Sequence, residues 1–170
     1  VSASGGTEST CGDFKIHTFT GPGAFCVSAA GNSVGNNKLE YVVVAGGGSG
    51  GRGYYGGGGG AGGFRFASPS LAPATYPGKP LAAPAGLTAT VASFPITVGG
   101  GGTASPNKTN PAADGSGSNS IFSTIISAGG GGAGNRSGPN CTVGATGGAG
   151  GGSTSSPAPA TGAAGNTPPV

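Results

Sequence analysis

The chain has 170 residues, of which 42 are glycine and 14 proline, and only 6% are charged. Disordered chains are typically charged and poor in β-branched and aromatic residues, so the apolar runs here argue against that class. Glycine blocks such as Gly56–Gly60 and Gly129–Gly132, without a Gly-X-Y register, exclude collagen. The net charge of +3 comes from Lys15, Lys38, Arg52, Arg65, Lys79, Lys108 and Arg136, scattered singly, which excludes the clustered phosphate contacts of a nucleic-acid binder.

In chain order, residues 1–12 are small and polar and read as a linker or arm. Asp13–Thr20 and Ala24–Ala29 are β-branched and aromatic runs separated by Gly21-Pro22-Gly23, a hairpin signal. The loop Gly31–Asn37 leads into a third strand, Leu39–Ala45. Its apolar residues occupy both alternating faces, as in a strand covered on two sides. Residues 13–45 are therefore expected to close a small antiparallel sheet.

Residues 46–152 follow a different pattern. Three times an apolar run passes directly into glycines: Tyr41–Gly48, Phe94–Gly102 and Ile121–Gly132. Further glycine blocks lie at 56–60, 62–63 and 147–152, the last broken by Ala149. The spacing is too irregular for a solenoid of fixed period. Each glycine costs roughly 0.5–1 kcal/mol relative to alanine in a regular element, so an ordered block needs a large compensating term. Polyproline-II helices have three residues per turn and an exposed backbone. Without side chains they can approach closely and hydrogen-bond to one another, which pairs the backbone groups that burial would orphan. The expected class is all-β: small antiparallel sheets combined with a bundle of polyglycine-II helices.

Prolines at 69, 73, 77, 80, 84 and 95 keep Phe66–Pro95 out of helix interiors and central strands. Its first part reads as an extended crossover, and Gly86–Ser93 as a short strand. Gly102–Ser118 and Ala133–Val143 read as polar loops, and 153–170 as a Pro/Ala/Ser linker or tail. No segment has a 3.6-residue period, so essentially no α-helix is expected.

The longest apolar run, Tyr41–Ala45, is far too short to span a membrane as a helix, and no membrane insertion is expected. No basic-then-apolar leader opens the sequence. A start at Val1 in a chain without Met reads as a processed product or a piece of something longer. Three cysteines, Cys11, Cys26 and Cys141, lack zinc-site spacing and a Cys-x-x-Cys motif. Cys11 and Cys26 flank the expected hairpin and can pair, in a loop worth roughly 3 kcal/mol. Small unpaired thiols are the equal alternative. Sequons at Asn107, Asn135 and Asn140 are explained by chance in a chain rich in Asn, Ser and Thr.

Gly48-Ser-Gly50-Gly-Arg-Gly53 matches G-x-G-x-x-G after a strand, but a dinucleotide site needs a helix to follow. Tyr54, Tyr55 and five glycines cannot form it. The acids are Glu8, Asp13, Glu40 and Asp114, and the one histidine is His17. They are too few for a positioned acid–base pair or a ligand set, so no catalytic residue, metal or cofactor is expected. His17 reads as an exposed strand residue. The most contact-prone segment is Arg52, Tyr54 and Tyr55, because Tyr and Arg dominate binding hot spots.

The segments Phe14–Val27, Leu39–Gly48, Gly59–Arg65, Phe94–Gly102 and Ser118–Gly132 resemble, in order, the glycine-rich domain of tailed-phage tail-fibre and virion structural proteins. Those of phages infecting marine cyanobacteria look most similar. The resemblance implies polyglycine-II helices sandwiched between layers, with distal loops that bind host receptors. Arg52–Tyr55, Thr103–Asp114 and Ala133–Cys141 would then face the receptor, a host-surface glycan or outer-membrane protein. The expectation is a non-enzymatic virion or extracellular module that self-associates. A subunit of a self-assembling extracellular filament or matrix is the alternative.

Overall fold

The computed structural model describes residues 1–32, 37–51, 56–68, 86–104, 115–137, 140–154 and 161–166. Among them every regular element is a strand, so the class is all-β, in small antiparallel sheets. The chain forms two compact units: 1–43, 65–98 and 121–126 make the first, and 44–64, 99–120 and 127–170 the second.

The first unit is built on side chains. Its main sheet has five strands in the order β1 (Ser2–Ser4), β4 (Gly23–Ala29), β9 (Ala92–Thr97), β10 (Ser120–Phe122) and β11 (Ile125–Ser127). In β4 the alternation of a strand turns Phe25 and Val27 inward, 8% and 3% exposed. Phe25 lies opposite Phe94 in the β4–β9 register. The Phe25 ring stands edge-on to His17 at 5.0 Å and to Phe122 at 6.1 Å, and Phe122 also meets Phe94 and Tyr41 at 6.1 and 6.0 Å. These spacings suit edge-to-face pairs, each adding about 0.5–1.5 kcal/mol beyond burial. Pro95 sits within this sheet because the β10 ladder reaches only Ile96, which leaves no strand partner beside the proline on that side.

The hairpin forms elsewhere than Gly21-Pro22-Gly23. Thr7–Cys11 (β2) and Phe14–Thr18 (β3) pair antiparallel, with Cys11 opposite Phe14, so Gly12-Asp13 makes a two-residue turn. Gly12 has φ 56°, the left-handed conformation such turns require. β4 pairs instead with β1 and β9. Residues 1–12 are thus two strands, parted at Gly5 and Gly6 with φ of 110° and 66°. A side chain on Gly6 would crowd the Thr18 carbonyl and the Phe19 ring.

The expected third strand divides at Glu40 into β5 (Lys38–Leu39) and β6 (Tyr41–Val44). β5 pairs with β8 (Leu87–Thr88), and β6 with β7 (Phe64–Ala67). Val43 is buried, but Val42 and Val44 are 65% and 55% exposed, so β6 is covered on one side only. A two-stranded ladder supplies no second layer.

The second unit has little regular sheet among the described residues; β12 (Arg136–Ser137) and β13 (Asn140–Cys141) pair antiparallel in it. Its centre is the stretch 127–135, in which every residue is buried. The segments 45–51, 57–63, 115–119 and 147–152 lie around that stretch, each hydrogen-bonded to it.

Candidate functional site

The second unit is held by backbone groups in a regular lattice. Gly57, Gly60 and Gly63 donate their amides to the carbonyls of Gly134, Gly131 and Ala128 at 3.3, 2.8 and 2.7 Å. The carbonyls of those same three glycines accept from Gly51, Gly48 and Ala45 at 2.8, 2.8 and 3.0 Å. The central stretch donates in rotation. Gly130 and Ala133 reach Gly46 and Ser49, and Gly131 and Gly134 reach Ala149 and Gly152. Gly129 and Gly132 reach the side-chain oxygens of Asn119 and Ser116 at 2.9 and 3.1 Å. Each neighbour is thus met at every third residue. A strand would return to the same side after two residues and an α-helix after 3.6, so this step belongs to neither.

The same step governs where a side chain fits. A Cβ on Gly129, Gly130, Gly131 or Gly134 would run into the backbone of an adjacent segment, whereas Gly50, Gly58 and Gly100 face open space. Ala61 and Thr103, three residues beyond Gly58 and Gly100, carry their side chains at exposed positions. On the outer segment 44–51, the exposed residues are Val44, Gly47 and Gly50.

Arg52, Tyr54 and Tyr55 lie outside the described residues, as do most of the 103–114 loop and residues 138–139 of the 133–141 loop. Asn135 is only 3% exposed, which removes the Asn135 sequon as an acceptor. Cys11 and Cys26 are free thiols. Cys11 is exposed on β2, whereas Cys26 on β4 faces Ser93, its Sγ 3.4 Å from the Ser93 Oγ. The pairing expected of them depended on a β3–β4 hairpin, and β3 pairs with β2 instead.

The titratable groups are dispersed. Lys15 Nζ lies 2.7 Å from the Glu8 carboxylate, and this hydrogen bond holds the Glu8 pKa below its usual value. His17 is not the exposed residue expected: its side chain is 9% exposed, and Nδ1 lies 2.8 Å from the Gly5 carbonyl oxygen. That contact has Nδ1–H donating to the carbonyl, with the ring packed on Phe25. Glu40 accepts a 2.8 Å hydrogen bond from Ser68. Burial pushes the Tyr41 phenol above its ordinary value. Among the described residues no three His, Cys, Asp or Glu side chains gather as a metal site, and no helix is long and apolar enough to cross a membrane.

Sequence reasoning missed the buried stretch 127–135 as the organising element. The run Ala128-Gly-Gly-Gly-Gly-Ala-Gly134 marks it as a block of glycine and alanine, but the run Gly56–Gly63 is longer by one residue, so length alone did not single it out. No curated protein and no solved structure matches the chain significantly. A family model described as "Glycine-rich domain" matches residues 4–168, nearly the whole length, and the chain belongs to that glycine-rich domain family.

Proposed function

We propose that the chain is a non-enzymatic structural and adhesive module of a phage tail fibre or virion, displaying loops for host-surface binding on a rigid polyglycine-II core. The observation that carries this reading is the three-residue hydrogen-bond step of the glycine segments. Three residues per turn is the repeat of the polyproline-II class, and outward positions such as Gly58, Ala61, Gly100 and Thr103 leave room for side chains. Such a scaffold suits recognition, because binding residues concentrate on loops held by a rigid support. Arg52, Tyr54 and Tyr55 are the proposed contact residues, and a surface glycan or outer-membrane protein is the proposed receptor. The dispersed carboxylates and the packed His17 favour a scaffold over an enzyme.

The test is binding of the fluorescently labelled chain to a panel of bacterial cells, with Tyr54→Ala and Arg52→Ala variants beside it. The expected result is saturable binding to some hosts, lost in the variants while their circular dichroism is unchanged. Absence of binding to every cell type, or equal binding by the variants, would refute the adhesive role. A second reading, a subunit of a self-assembling filament, is favoured by the bare backbone on one outer segment.

A further inference from the structure

The segment 56–64 is hydrogen-bonded to three neighbouring segments, 45–51, 128–134 and 149–152, and is open on its remaining side. The amides of Gly57, Gly60 and Gly63 point into the central stretch, and the carbonyls of Gly58 and Ala61 accept from Gly152 and Ala149. Gly56, Gly59 and Gly62, again three apart, make no hydrogen bond among the described residues, although Gly59 and Gly62 pack on one side against the backbone of Gly48 and Ala45. Gly56, Gly58, Gly59 and Ala61 are exposed. This row is the counterpart of an open sheet edge, where unpaired N–H and C=O groups form a template for another chain. It ends at Phe64, which is 43% exposed. Extending the Ala45–Gly63 register places Phe64 opposite Val44, itself 55% exposed.

We infer that this row is a homotypic docking surface, and that its occupant is the 56–64 segment of a second copy of the chain. The inference rests on the assembling part of the proposed function and names the surface responsible. Three features specify the occupant. The three-residue step of bare amides is matched by a chain with the same step and without Cβ atoms in the way. Gly56–Gly63 carries no charge, so two copies meet without repulsion. Antiparallel pairing of such segments already occurs inside the molecule, between 45–51 and 57–63. A two-fold arrangement is self-complementary: it sets each Phe64 against the partner's glycine end, over a contact about 25 Å long at roughly 3.1 Å per residue.

Sedimentation velocity on the full chain tests this, with a Gly58→Lys/Ala61→Lys variant and a Gly100→Lys control. Gly58 and Gly100 both face open space and Ala61 is exposed, so the variants keep the fold, which circular dichroism verifies. The expected result is a concentration-dependent dimer in wild type and control, with the dissociation constant raised at least about tenfold in the double variant. If wild type dimerises and the double variant does so equally, the surface is wrong while assembly stands. If wild type stays monomeric up to about 1 mM, both this surface and the assembling reading fall.

Discussion

Replacing Gly131 by alanine should strongly destabilise the glycine lattice, and the same change at Gly58 should not. Gly131 lies in the fully buried stretch, where its amide donates to Ala149 at 2.9 Å and its carbonyl accepts from Gly60 at 2.8 Å. A Cβ there would overlap the Ala145 carbonyl and approach the Gly151 amide nitrogen to 2.9 Å. Both are backbone, so relief requires moving a whole segment. Overpacking costs about 1–3 kcal/mol. Displacing the 145–151 backbone also breaks at least two hydrogen bonds, each worth about 1 kcal/mol. The sum, about 3–5 kcal/mol, takes up much of a domain's usual stability of about 5–15 kcal/mol.

At Gly58 a Cβ meets no atom and the backbone is not left-handed. Alanine there restricts the unfolded chain and should stabilise by about 0.4–1 kcal/mol, a rise in Tm of roughly 1–4 °C for a chain of this length. Thermal melts followed by far-ultraviolet circular dichroism compare the two. Equal loss of stability at both sites would refute the assignment of inward and outward positions. A Gly131→Ala protein melting like wild type would refute the lattice itself.

Two further outcomes follow from single side chains. Ser127 is fully buried and its hydroxyl has no hydrogen-bond partner among the described residues, so Ser127→Ala should raise stability in urea by about 1–3 kcal/mol, the cost of an unsatisfied buried group; a lower midpoint would contradict this. Glu8, held below the ordinary carboxylate value of 4.5 by Lys15, stabilises the fold above its unfolded pKa, and the contribution is lost as pH falls through the lower folded value. Glu8→Gln should therefore melt slightly earlier than wild type at pH 7 and together with it in strong acid, and a gap in Tm that persists there would argue against this origin.

The all-β class and the absence of helix were legible because no 3.6-residue period exists and the apolar runs are β-branched. The pairing was less so. Gly12-Asp13 is as good a two-residue turn as any in the chain, but Thr7–Cys11 has no apolar alternation to mark it as a strand. Its place is fixed by long-range contacts: Glu8 with Lys15, and His17 with Gly5 and Phe25. Gly21-Pro22-Gly23 marks a turn in sequence without joining paired strands. The glycine blocks were recognisable as elements, yet their order in space was not. Glycine has no side chain to distinguish an inner segment from an outer one, so 127–135 and 56–63 read alike although one is enclosed and the other has a bare edge.

Two kinds of core follow from one chain, and they differ in what they tolerate. Around Phe25, Phe94 and Phe122, shape is carried by side chains, and cores of that kind accept volume-conserving exchanges at under about 1.5 kcal/mol. Around Gly131, shape is carried by carbonyls and amides that no rotamer can move aside. The segments meet at 2.7–3.3 Å, and at Gly129, Gly130, Gly131 and Gly134 a Cβ would run into neighbouring backbone, so at those positions even the smallest side chain is an overpacking mutation. Outward positions are the reverse: Gly50, Gly58 and Gly100 touch nothing, and sequence there is free to change without altering the lattice. A scaffold with an invariant interior and a permissive exterior in steps of three can carry new surface residues at no cost to its fold, which is the property a recognition module requires.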